Sequence, residues 1–197
     1  MKKILITLRL TIYTVLCIPH LIVYFMHKSR KVVRIDAKRW LDLYKIRYKN
    51  TSGFIYLLSY YPEFRNLFYY RVGALHHFLK ITCPKMASLY IVTDSVGEGL
   101  FIQHGFATVI AAKSIGKNCW INQQVTIGFT SDTDCPVIKD NVTISAGAKV
   151  LGGIEIGSNS TIGANAVVLK NVPENCVVVG IPAYIVKRNG VKVKEPL

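Results

Sequence analysis

Ile138, Ile144, Val150, Ile156, Ile162 and Val168 stand six residues apart, and every one is a β-branched aliphatic. Val109, Ile115, Ile121 and Ile127 keep the same spacing upstream, across the polar insert "FTSDTDCPV", and Val96 and Ile102 start the series. Neither an α-helix, at 3.6 residues per turn, nor a strand alternating at 2.0 sustains a period of six. A β-solenoid does. Three short strands make one coil of a triangular prism, and each face sends one aliphatic into a narrow interior. Gly, Asn, Ser and Ala after the aliphatics, as in "IGSNST" and "IGANAV", let the chain corner between faces. Stacked coils then pair their backbones along the axis. Spacing predicts the solenoid but not its hand.

Before residue 90 the pattern is different. "RWLDLYKIRYKN" carries Trp40, Leu43, Tyr44 and Arg47 on one helical stripe, and "GFIYLLSYYPEFRNLFYYRVGALHHFLKI" predicts two helices divided at Pro62. The formal net charge of the chain is +14. Residues 1–90 hold 16 Lys and Arg against 3 Asp and Glu, so the basic character belongs to this half. Such a half suits anionic lipid or nucleic acid. No nucleic-acid motif accompanies it, which favours lipid. The apolar run Ile4 to Met26 is long enough for a bilayer, though Arg9, Pro19 and His20 interrupt it. Three outcomes stay open for residues 1–35: an interfacial helix or hairpin, a span, or a helix buried against protein. The five cysteines are scattered, with no CxxC. They imply neither a disulfide framework nor a metal site, and they suit a reducing compartment at the inner face of a membrane.

The segments "VGEGLFIQHG", "SIGKNCWINQQVTIG", "ISAGAKVLGGIEIGSNSTIGANAVVLKNVP" and "VVVGIPAYIVKR" resemble the hexapeptide-repeat acyltransferases, in the serine acetyltransferase-like branch. "YPEFRNLFYYRVG" resembles the helix that branch places before its solenoid. The resemblance spans roughly residues 60–190. It implies a mainly β chain: a left-handed parallel β-helix over 89–186 behind an α-helical region, 36–88, with a C-terminal tail at 187–197. A Pro and a return to helical spacing are expected to close the solenoid. The resemblance also implies acetyl-CoA as acyl donor and a homotrimer with a site at each interface.

Within it, His104 matches the general base that takes a proton from the acceptor hydroxyl, a task suited to imidazole near neutral pH. Ala146, Gly147 and Ala164 match small residues along the pantetheine. Lys170, Lys187 and Arg188 are candidates for the CoA phosphates, and a backbone N–H near Gly128 for the oxyanion. Several positions depart from the serine enzymes. Leu89 stands where an Asp orients the imidazole, fifteen residues before His104. Gln103 replaces an acid, and Cys135 replaces a second His; Glu98 and Asp94 are out of register. A covalent route through Cys135 is chemically conceivable, but direct transfer fits the resemblance better. With fewer charges to hold free serine, the expected acceptor is a saccharide hydroxyl in cell-surface polysaccharide synthesis. Serine O-acetylation is the alternative, and a non-catalytic β-helical scaffold the second.

Overall fold

The computed structural model describes residues 2–197, with side chains from Ile4 onward; the positive charge of Lys2 and Lys3 lies outside the described side chains. The chain divides into two compact units, residues 1–86 and 87–197.

The first unit is helical: α1 (Lys2–Leu16), α2 (Ile18–Met26), α3 (Arg30–Leu43), α4 (Asn50–Tyr60), α5 (Pro62–Val72) and α6 (His76–Leu79). Tyr61, ahead of Pro62, is extended (φ −121°, ψ 89°), as the proline ring requires of its predecessor. Pro62 then opens α5 with Glu63 in its first turn. Trp40, Phe54, Leu57, Leu58, Phe64 and Leu67 form the core and are almost wholly buried. Within it, Arg71 Nε donates to Asp36 Oδ2 at 2.8 Å, so neither buried charge lacks a counter-ion. The stripe through Trp40 ends sooner than its spacing predicts. α3 stops at Leu43, Tyr44 is its C-cap, and Arg47 lies beyond it.

The second unit is a parallel β-helix. Three sheets stack along one axis. One is β1 (Leu89–Ile91), β4 (Thr108–Ile110), β7 (Thr126–Gly128), β10 (Lys149–Leu151) and β13 (Val167–Val168). The next is β2 (Ser95–Val96), β5 (Ser114–Ile115), β8 (Val137–Ile138) and β11 (Glu155–Ile156). The third is β3 (Phe101–Ile102), β6 (Trp120–Ile121), β9 (Thr143–Ile144), β12 (Thr161–Ile162) and β14 (Cys176–Val179), extended by β15 (Tyr184–Arg188) and β16 (Val191–Pro196). Ile102 pairs with Ile121, Ile121 with Ile144, Ile144 with Ile162 and Ile162 with Val178, each almost fully buried. The inward series holds with one correction. The buried aliphatic of β4 (Thr108–Ile110) is Ile110, paired with Ile127, while Val109 faces outward at 36% exposure. The step from Ile102 to Ile110 is therefore eight residues, not six.

The edge that leads into β3, β6, β9, β12 and β14 explains the repeated Gly and Asn. A Cβ on Gly97 would lie 2.6 Å from the Gly116 backbone, because successive coils stack that closely. Asn118, Asn141, Asn159 and Asn175 take φ between 56° and 60°, a conformation Asn tolerates better than most residues. Asn141 Nδ2 donates to Asn159 Oδ1 and Asn159 Nδ2 to Asn175 Oδ1, both at 3.1 Å, forming a ladder along the edge.

The C-terminus does not return to helix. β15 (Tyr184–Arg188) and β16 (Val191–Pro196) form an antiparallel hairpin on β14, turning at Asn189 and Gly190, both with positive φ. Residues 187–197 are thus sheet rather than tail.

Candidate active site

A second edge joins the sheet of β3 (Phe101–Ile102), β6 (Trp120–Ile121), β9 (Thr143–Ile144) and β12 (Thr161–Ile162) to the sheet of β4. Its backbone bonds run in register. Gly147 N donates to Gln123 O at 3.0 Å and Asn165 N to Ala146 O at 2.9 Å. One coil earlier, Gln124 N donates to Phe106 O at 3.0 Å. Phe106, Gln123, Ala146 and Ala164 therefore form one column. Ala107, Gln124, Gly147 and Asn165 form the next, all at positive φ. His104 and Gly105 belong to neither column. They are the two extra residues of the eight-residue step, looped out of the edge.

The loop is tight. His104 has φ 64° and Gly105 φ 44°, and Phe106 N closes back on His104 O at 2.6 Å. A non-glycine residue in the left-handed region is uncommon and costs about 1–2 kcal/mol. Gly105 is buried beneath the loop, while His104 is exposed. His104 is also the one histidine of residues 87–197. Gln103, just before it, holds the edge by donating its backbone N–H to Ile121 O at 2.8 Å. Leu89, at the position expected to orient the ring, is a 2% exposed strand residue paired with Thr108 and supplies no charge. Glu98 is paired with Lys117 at 3.2 Å.

The other expected site residues divide by edge. Ala146, Gly147 and Ala164 follow His104 down the same edge. Gly128 ends β7 (Thr126–Gly128), and Cys135 precedes β8 (Val137–Ile138) across the insert, on a different edge of the prism. One protomer therefore does not bring Cys135 to His104. Burial and the neighbouring Asp94 carboxylate push the Cys135 thiol upward, which works against a thiolate nucleophile. Asp134 shapes the insert by accepting from the Thr130 hydroxyl and from the backbone N–H groups of Ser131 at 2.9 Å and Thr130 at 2.8 Å, which together hold its carboxyl down at about 2.

Two of the three expected phosphate ligands are already engaged. Arg188 donates to Glu195 Oε2 through Nε at 3.0 Å and Nη2 at 2.7 Å, and Lys170 Nζ donates to Leu197 O at 2.7 Å. Lys187 is exposed. Among the described residues no cluster of three His, Cys, Asp or Glu side chains forms a metal site. The residue that counting positions missed is Gln123. It stands in the column headed by Phe106, with its Oε1 buried and without a hydrogen-bond partner.

Three comparisons bear on this geometry. A model of the bacterial transferase hexapeptide (six repeats) matches residues 135–170. A serine acetyltransferase from Synechococcus elongatus is 49% identical over 106 residues, which are 52% of this chain and 43% of that protein. The chain thus spans about half the length of the relatives it matches in this way. The serine acetyltransferase of Neisseria gonorrhoeae, solved in complex with serine, superposes with a TM-score of 0.65 at 30% identity over 81% of this chain and 69% of that one. The enzyme of Brucella abortus, solved with coenzyme A, gives 0.64 at 26% identity over 86% and 72%.

These findings overturn the expected saccharide acceptor. The relatives that share half their residues with this solenoid are serine acetyltransferases. With its column of inward aliphatics, its looped-out histidine and this similarity across four-fifths of its length, the chain belongs to the hexapeptide-repeat acyltransferases with a left-handed parallel β-helix, in the serine acetyltransferase-like branch.

Proposed function

We propose that the protein is an acetyl-CoA-dependent O-acetyltransferase whose acceptor is the hydroxyl of L-serine, with His104 as general base. One observation carries the assignment of the base: the only imidazole of the solenoid unit is held out of a regular edge by two extra residues, on the edge that carries Ala146, Gly147 and Ala164. In the reaction the imidazole takes the hydroxyl proton as the serine oxygen attacks the thioester carbonyl. The tetrahedral oxyanion collapses, the C–S bond breaks, and the imidazolium returns the proton to the departing CoA sulfur. A backbone N–H near Gly128 stabilises the oxyanion. Ala146, Gly147 and Ala164 leave the pantetheine room to lie against the backbone. Lys187 meets the phosphates, and Lys170 and Arg188 join it only by exchanging their present partners.

Gly128 lies on another edge of the protomer, which favours a homotrimer whose neighbouring prisms complete each site. For residues 1–35 we infer a peripheral contact with a membrane surface rather than a crossing. Among the described residues no single helix is long and apolar enough to span, and the apolar pair α1–α2 bends by 67° at Cys17.

The test is acetyl-CoA with L-serine, following free CoA thiol and O-acetylserine by mass. Turnover in the wild type that disappears in His104→Ala supports the reading. Thioesterase activity alone, or no turnover of L-serine, overturns it.

A further inference from the structure

The helical unit wears part of its surface inside out. Ile4, Leu8, Ile12 and Val15 of α1, with Ile22 and Met26 of α2, are 49–76% exposed. Their spacing of three and four makes one stripe along each helix. A scattered aliphatic on a surface needs no explanation, but a continuous stripe does. Several polar groups of the same helices are bonded within the protein, although only His20 among them is buried. Arg9 reaches the carbonyl of Ser59 and lies 4.1 Å from the Tyr60 ring. His20 is fully buried, with Nε2 2.9 Å from the Tyr69 hydroxyl. The exposed Thr11 and Thr14 donate their hydroxyls to Thr7 O at 3.1 Å and Leu10 O at 2.7 Å of their own helix. These are the arrangements that a helix face entering an apolar medium needs.

Charge indicates what the medium is. Residues 1–35 contain seven Lys and Arg and no Asp or Glu. Where the stripe ends, Phe25 forms part of the wall of a half-open cleft of about 550 Å³. Arg34, Lys38 and Lys49 line it, against the single acid Asp42. The Arg34 guanidinium lies 5.2 Å from the Tyr24 ring, which holds it at the cleft mouth.

We propose that this face docks on a bilayer containing anionic phospholipid. The stripe of α1–α2 enters the acyl boundary, and Arg34, Lys38 and Lys49 in the adjoining cleft receive a lipid phosphate. This rests on the peripheral reading of residues 1–35 and is independent of the acetyl-transfer chemistry.

The experiment is co-sedimentation of the full chain with phosphatidylcholine vesicles, with and without phosphatidylglycerol, at low and high salt. Binding is expected to be about ten-fold tighter when the anionic lipid is present and to weaken with salt. L8E/I12E changes two exposed positions, so the helical circular dichroism stays as in wild type while binding falls about ten-fold or more. R34Q/K38Q loses only the preference for anionic lipid. Full-length protein that stays in the supernatant with anionic vesicles overturns the proposal, as does L8E/I12E that binds like wild type. An assembly in sedimentation velocity that L8E/I12E disperses, with no vesicle binding, assigns the face to a second copy and likewise overturns it. Acetyl transfer to L-serine, measured in the absence of vesicles, separates the two readings: an inactive protein that binds vesicles refutes the serine reading and leaves the docking intact.

Discussion

Each unit of this protein places an imidazole where a regular element is interrupted, and the two are treated in opposite ways. His20 follows the break between α1 and α2 and is fully buried. The Tyr69 hydroxyl donates to Cys83 O at 2.5 Å, so it accepts from His20 Nε2–H; His20 Nδ1 is left buried without a partner. Burial, reinforced by the Arg65 charge, pushes the His20 pKa down to about 4. His104 also interrupts a regular run, yet its loop holds it in the open, and among the described residues no side chain is hydrogen-bonded to it. The difference lies in what surrounds each ring rather than in the residue. A packed imidazole is fixed neutral and contributes structure, while an exposed one on a tight loop keeps both nitrogens for a ligand.

The solenoid repeats the contrast between its edges. The asparagine ladder bonds the side chains of Asn141, Asn159 and Asn175 to one another along its edge. The histidine edge carries Ala146, Gly147 and Ala164 below one excursion that leaves the imidazole exposed.

These contrasts can be broken by experiment. Deleting His104 and Gly105 together restores a six-residue step between Ile102 and the following inward isoleucine. Acetyl transfer should fall by about 10²–10⁴-fold, the usual worth of a general base, while the thermal unfolding midpoint stays close to wild type. A large loss of stability would mean that the loop supports the coil rather than the chemistry.

The His20 prediction concerns stability and has a definite sign. Its folded value, about 4, lies below the unfolded 6.5, so between these pH values the unfolded chain binds a proton that the folded one refuses. Stability is complete above 6.5 and declines as pH falls toward 4, by at most about 3 kcal/mol. Urea midpoints across that range should show the decline, and His20→Gln should flatten it. Wild type and variant with the same slope would show that another group titrates.

Asn159→Ala forfeits a tolerated left-handed residue and two ladder hydrogen bonds. It should cost about 2 kcal/mol of stability, read from denaturant midpoints, with acetyl transfer unchanged. Ala164→Leu should do the reverse, raising the KM for acetyl-CoA about five-fold with little change in stability. That estimate corresponds to about 1 kcal/mol of lost binding. An unchanged KM would move the pantetheine off this edge.

Much of this was legible in the sequence, and the misses have physical causes. The period of six exposes the solenoid because its interior admits one aliphatic per face. Val109 and Ile110 are adjacent β-branched residues, so spacing alone selects the wrong one and hides the enlarged corner. The C-terminal hairpin did leave a signal: Asn189-Gly190 between "YIVKR" and "VKVKEP" is the favoured two-residue hairpin turn. Arg47 continues a helical stripe in sequence after α3 has ended, because periodicity does not register where a helix stops. The saccharide expectation rests on the departures at Leu89, Gln103 and Cys135, and the similarity of the whole solenoid to serine acetyltransferases outweighs those single positions.

The central claim is that the looped-out imidazole performs the proton transfer. Its most direct test is the kcat of wild type, His104→Ala and His20→Gln with acetyl-CoA and L-serine at one fixed pH of about 7.5. The account predicts a loss of about 10²–10⁴-fold in His104→Ala, with unchanged circular dichroism, and near wild-type turnover in His20→Gln. A folded His104→Ala that retains wild-type kcat would contradict it.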